Sequence, residues 1–265
     1  VTAVLAAIRS ELTKIITLPV SWIFTGLVLA LQVFVLVPSA GLSAEAIQNR
    51  TEDGLVELFV GSPQPVDEAV LGLLGASSLQ LSLLLPALAA VIAGQEFRSR
   101  QLASTLLATP SRGLLLTAKV FATAMFLLLV AVLMTVISTV VTYTVIRDWN
   151  PGLLLSPEAL LINGRFLAFA VLFSLVGLAL TVIAGSTLVG IVGTVALIAS
   201  TMTQLLTRVS PTLDALTPLS AGRNLLLDPG LNQLTASPTH ALIVLVCWAS
   251  GTIGVAAVVL TRRDV

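Results

Sequence analysis

Charge is scarce in this sequence. Asp, Glu, Lys and Arg together make up 10% of its 265 residues. A soluble domain carries about 25%, so a globular surface facing water on all sides is excluded. Disorder is excluded as well, because it requires high charge and low hydrophobicity. Cysteine occurs once, as Cys247, which removes a disulfide framework within the chain and a zinc site built on cysteines. Histidine occurs once, as His240, which confines imidazole chemistry to one position. The 13 basic and 13 acidic residues cancel, so net charge says nothing about partners. What is abundant is apolar: 57% of the residues are hydrophobic and the mean hydropathy is +1.06. The class that remains is an all-α polytopic membrane protein.

A spanning helix needs about 20 apolar residues, because the hydrocarbon core is about 30 Å thick. A central Asp, Lys or Arg costs about 2.5–3.5 kcal/mol there. Charge-free runs are therefore the sharpest markers. They predict six spans, at 19–38, 70–94, 119–146, 166–184, 187–207 and 239–261. The fourth and fifth share one long apolar run, which Gly185-Ser186-Thr187 divides, since Gly is free to adopt positive φ. The apolar core of the first span exceeds the 7–15 residues of a cleaved signal, so it is expected to be retained.

Six spans place both ends of the chain on one side. Eight basic residues fall on that side: Arg9, Lys14, Arg98, Arg100, Arg112, Lys119, Arg262 and Arg263. The positive-inside rule then makes it the cytoplasmic side. Residues 1–18 read as an amphipathic interfacial helix, with Val4, Leu5, Ile8, Leu12, Ile15 and Ile16 on one arc and Ser10, Thr13 and Lys14 opposite. Pro19 ends or bends it.

The segment 95–118 is the main cytoplasmic feature. Leu102, Leu106 and Leu107 form a turn-spaced apolar face behind Glu96, Thr109-Pro110 ends that helix, and Ser111 caps the next. A short leucine-bearing helix crowded with charge reads as a docking surface. On the other side, 39–68 is an acidic loop. The stretch 208–238 holds four prolines, yet also Leu213, Leu216, Leu219, Leu225, Leu226 and Leu227, too apolar for a plain loop. It is expected to form short helices that dip back toward the membrane and close the outer end of a pathway.

Chemistry is sparse. The phosphate-binding pattern G-x-x-x-x-G-K-[ST], the zinc pattern H-E-x-x-H and the nucleophile pattern G-x-S-x-G are all missing. No catalytic residue, metal site or cofactor is therefore expected in this chain, and no nucleic-acid partner. The span centres are uncharged, which argues against a proton-driven carrier. The second span holds Ser77 and Gln80, and the fifth holds Ser200, Thr203 and Gln204. Gln80 and Gln204 are costly to bury, which makes them the first candidates for lining a path.

One run resembles a known family. Glu96-Phe97-Arg98, Leu102, Thr105-Leu106-Leu107-Ala108-Thr109-Pro110-Ser111-Arg112 and Lys119 resemble the E-x-R…T-L…L-L-x-x-P-x-S/R-R…K run of ABC-2 type ABC exporter permeases. The segment Pro218-Leu219-Ser220-Ala221-Gly222-Arg223-Asn224-Leu225-Leu226 and the ending Arg262-Arg263-Asp264 are similar to theirs too. The chain departs from the family where Arg100-Gln101 stands in place of a common Gly.

The resemblance implies a bacterial inner-membrane permease that works as a homodimer, or beside a paralogous permease, and is driven by a separate cytosolic ATPase subunit holding ATP and Mg. It implies ATPase coupling through Glu96, Phe97, Arg98, Arg100, Leu102, Leu106 and Arg112. The second and fifth spans would face the central path, with an outer gate at Pro218, Leu219 and Arg223. Uncharged spans suit a hydrophobic or amphipathic cargo such as a drug, lipid or peptide. The alternative is an ion-coupled secondary carrier or channel.

Overall fold

The computed structural model describes residues 2–56, 63–98, 111–203, 205–227 and 232–262. They form an all-α polytopic membrane protein. Five helical segments are long and apolar enough to cross a membrane: Pro19–Glu45, Val66–Gln95, Arg112–Ile146, Pro157–Ala184 and Pro238–Arg262.

Helix α1 (Thr2–Thr17) leads directly into α2 (Pro19–Gln48). Pro19 sits at the first position of α2, where a missing N–H is harmless. The helix runs ten residues past Pro38, the expected end of the first span. Hydroxyls support it there: Ser39 donates to the Val35 carbonyl and Ser43 to that of Ser39. A two-residue pairing of β1 (Leu55–Val56) with β2 (Gln64–Pro65) precedes the second spanning segment.

That segment is broken in two, α3 (Val66–Ser82) and α4 (Leu85–Arg98). Pro86 has no N–H to offer the Ser82 carbonyl, so the turn at Leu83–Leu84 opens. Helix α5 (Arg112–Ile146) begins at the Ser111 cap, whose hydroxyl accepts from the Leu114 amide at 3.3 Å. Its 35 residues rise about 50 Å, which exceeds the hydrocarbon core and carries one end out of it.

A 3-10 turn (Pro151–Leu155) leads into α6 (Pro157–Ala184), capped by Ser156 and starting nine residues before the expected span. Gly185 ends α6 at φ 65°, a left-handed position suited to glycine. Helix α7 (Thr187–Met202) is only 16 residues long, about 24 Å. The expected span 187–207 therefore divides: after the turn at Thr203 the chain continues as α8 (Leu205–Val209), α9 (Pro211–Ala215) and α10 (Pro218–Leu226). Pro211 and Pro218 start the last two. Helix α11 (Pro238–Arg262) closes the described fold.

Helix α6 is the hub, packed on α3, α4, α5, α7, α10 and α11. Phe166, Phe169 and Phe173 repeat at helical spacing on its buried face, and the last two stack at 5.3 Å. Gly177 lies so close to the Pro86 carbonyl that a Cβ there would collide with it, which is how α6 meets the α3–α4 break. A smaller apolar cluster of Val66, Val70, Ile146, Leu153 and Ala159 joins the starts of α3 and α6 to the end of α5. The outer surface is greasy: Phe34 is 75% exposed and Ile23 71%. Water would not tolerate so continuous an apolar surface, but lipid does.

Candidate docking site at the charged end

The start of α5 gathers α1, α4 and the end of α11 at one end of the bundle. Helix α1 packs along α5. Its inward stripe is Ile8, Glu11, Leu12 and Ile15, while Leu5 and Ile16 face outward. Glu11, one residue before Leu12, is buried with this stripe. Its side chain is 5% exposed, and its two oxygens take different partners. Lys119 on α5 donates to Oε2 at 2.6 Å, and Lys14 pairs with Oε1. A buried charge has to be paired, and Glu11 neutralises a lysine that sequence alone would send to the membrane surface. A cavity of about 60 Å³ lies beside the triad, lined by Glu11, Lys14, Ile15, Leu18, Ile92, Gln95, Lys119 and Thr123.

Arg112 begins α5 and reaches the other end of the chain. Its Nη1 donates to the Leu260 carbonyl at 2.8 Å and to that of Thr261 at 3.1 Å. These belong to the last turn of α11, where unpaired carbonyls and the helix dipole both favour a cation. Two contacts thus tie the N-terminal and C-terminal helices to the first third of α5.

The expected coupling residues surround this point. Phe97 is half-buried at the end of α4. Glu96 and Arg98 occupy the last turn of α4, but their side chains lie outside the described residues, as do Arg100, Leu102 and Leu106 and most of the expected helix in 95–118. Among the predicted coupling cations, Arg112 is described, and its contacts include the end of α11.

The predicted path residues do not converge within one copy of the chain. Ser77 is buried, donates to the Leu74 carbonyl, and shares a small cavity with α2 and α5. Ser200 lies on α7, which packs on α4, α6 and α10, and Thr203 lies at the turn that ends it; each hydroxyl bonds a carbonyl of α7. Gln80 and Thr203 are exposed on the outer surface, and Gln204 lies outside the described residues.

The predicted gate residues form a compact corner at the opposite end. Pro218 and Leu219 are buried and Arg223 is half-buried in the last turn of α10. Helix α10 packs on α11, α6, α3 and α7. A Cβ on Gly222 would strike the Phe169 ring, and one on Gly75 would strike the Leu226 carbonyl.

Sequence reasoning missed Asp214 here. It is 1% exposed, and the Ser220 hydroxyl donates to its Oδ2 at 2.7 Å. Its Oδ1 has no partner among the described residues. The hydroxyls of Thr217 and Thr201 meet at 3.0 Å, and the Trp248 indole donates to the Leu216 carbonyl. The leucines of this segment were the available signal, and Leu219, Leu225 and Leu226 are buried while Leu213 and Leu216 are not. Nothing local marked the acid between them.

Among the described residues no group of His, Cys, Asp and Glu is placed to hold a metal ion. In comparison with known proteins, the chain matches no family model and no curated protein.

Proposed function

We propose that the chain is the permease subunit of an ABC-2 type exporter, coupled to a separate cytosolic ATPase. The observation that carries this reading is the charged end. There α1, α4, α5 and α11 come together around the one segment whose residues resemble the family's coupling run, and Glu11–Lys119 and Arg112 link that segment to both ends of the chain. A push delivered between α4 and α5 reaches α1 through an ion pair and α11 through its terminal carbonyls. Such coupling requires the motor to bind one arrangement of these helices more tightly than another.

In this reading the charged end is cytoplasmic in a bacterial inner membrane. Helix α1 lies in the interface. Helix α7 with α8 forms a short additional span, which makes six. The α9–α10 corner closes the outer end. Gln80 on α3 and Thr203 at the end of α7, both exposed on a single copy, come to face a path only when a second permease covers them, which favours a dimer. The apolar spans suit a hydrophobic or amphipathic cargo.

The reading is tested by reversing charge at Glu96 or Arg98 in the complex with its ATPase. The expected result is ATP hydrolysis that no longer drives transport, with membrane insertion intact. Unchanged transport in both variants overturns the assignment of this segment as the coupler.

A further inference from the structure

Hydroxyls in an apolar helix ordinarily satisfy themselves by bonding the carbonyl one turn back. This chain follows that habit at Thr135, Ser174, Thr181, Thr194 and Ser250. Among the described residues it breaks it at Thr207 on α8 and, more than once, in one other place. Along the seam between α2 and α5, Ser21 Oγ, Thr25 Oγ1 and Thr123 Oγ1 are buried with no partner among the described residues, and so is Gln32 Oε1. Ser21, Gln32 and Thr123 are each 0% exposed and Thr25 is 3%.

The register of the seam is fixed by two contacts. Trp22 meets the edge of Phe126 at 5.7 Å, and Gln32 Nε2 donates to Ser138 Oγ at 2.6 Å. The two helices therefore run parallel. The inward stripe of α2 is Ser21, Thr25, Val28, Gln32, Leu36 and Ser43, spaced like an ordinary helix-packing face but polar at four of six positions. From Ser21 to Ser43 it rises about 33 Å, close to the thickness of the hydrocarbon core.

Each end of the seam opens into a cavity. At the charged end it is the cavity of about 60 Å³ that Thr123 lines. At the other it is one of about 10 Å³ lined by Ser39, Ser43, Ser77 and Thr142 among others. A water needs about 10–15 Å³ of such space and two to four polar partners. The first cavity has room for several waters and the second for one. Leaving four polar atoms dry in a low-dielectric interior would cost about 1–3 kcal/mol each.

We propose that the α2–α5 seam is an internal hydration site. Water enters it from both ends and bridges Ser21, Thr25 and Thr123 in one half and Ser43 and Thr142 in the other. The Gln32–Ser138 bond, flanked by Val28 and Leu36, separates the halves. Helix α2 is thereby held to α5 largely by exchangeable bridges, whereas α6 is held to its neighbours by interlocked apolar side chains. This inference stands on the seam alone and is independent of the coupling to an ATPase.

The test uses the full chain in lipid bilayers and water-edited solid-state NMR, in which polarisation passes from water to nearby side chains. Thr25 and Thr123 are expected to build up signal several-fold faster than Val28 and Leu127, which are equally buried. Build-up as slow as at Val28 overturns the proposal. Thr25→Val and Thr123→Val give a second readout. A hydrated seam predicts a lower thermal midpoint for both, because a bridging water loses a partner. A rise in both midpoints contradicts it, since removing an unpaired polar atom from a dry seam stabilises.

Discussion

Two buried acids mark the two ends of the bundle, and they are held in opposite ways. Glu11 at the charged end is pinned between two lysines, one of them 108 residues away in sequence. Asp214 at the opposite end has a serine hydroxyl on one oxygen and nothing described on the other. The first acid is part of a lock between helices, and its removal takes a carboxylate from a buried cation. The second is a carboxyl with only one oxygen satisfied, in a corner held together mainly by apolar packing of α10. Burial alone does not tell what an ionised group contributes; its partners do.

The contrast can be broken or sharpened by substitution. Glu11→Ala is expected to have the largest effect, a loss of about 3–5 kcal/mol, because buried Lys119 loses a carboxylate that also holds α1 to α5. Denaturation in mild detergent, followed by the release of α1 to proteolysis, measures it. Gly222→Ala comes next, at about 1–3 kcal/mol, as its Cβ presses on the Phe169 ring. A thermal midpoint reads that strain, and a smaller ring partner, Phe169→Leu, is expected to recover part of it.

Arg112→Ala should cost about 1 kcal/mol by uncapping α11. Hydrogen exchange is expected to speed up only in the last turn of α11, around Leu260 and Thr261. Asp214→Asn should have the smallest effect and the opposite sign. It keeps an acceptor for Ser220 in a side chain of the same shape, so the midpoint stays level or rises slightly. A fall as large as that of Glu11→Ala would show that the two ends are not different after all.

Much of the architecture is local and therefore legible in the sequence. The Ser111 cap, the Gly185 turn, and the start and end of α11 all follow from residues within a turn of the feature they specify. The break at Leu83–Leu84 was less legible. A proline such as Pro86 also occurs at position 38, where α2 continues through it, and the outcome depends on what packs alongside. At Pro86 the neighbour is Gly177 of α6, which lets the broken turn approach closely. The end of α7 was hidden because the apolar run continues through Leu205 and Leu206 while the backbone turns at Thr203.

The candidate site was legible in part. The sequence located the charged segment, but not that Lys119 would be taken by Glu11, nor that Arg112 would be taken by carbonyls 148 and 149 residues away. Pairings across such separations leave no periodic trace. The polar seam of α2 was invisible for a different reason. Four small or amide residues in a charge-free run barely alter its hydropathy, and only the packing reveals that they share a face.

The proposed coupling demands that the chain be moved by an ATPase gripping its charged end. Proteoliposomes holding the chain with its partner ATPase test it directly, with transport of a fluorescent amphipathic cargo followed before and after ATP. Transport that needs both ATP and the partner, and that vanishes when either is withheld, is the predicted result. Transport at full rate by the chain alone on an ion gradient would contradict it.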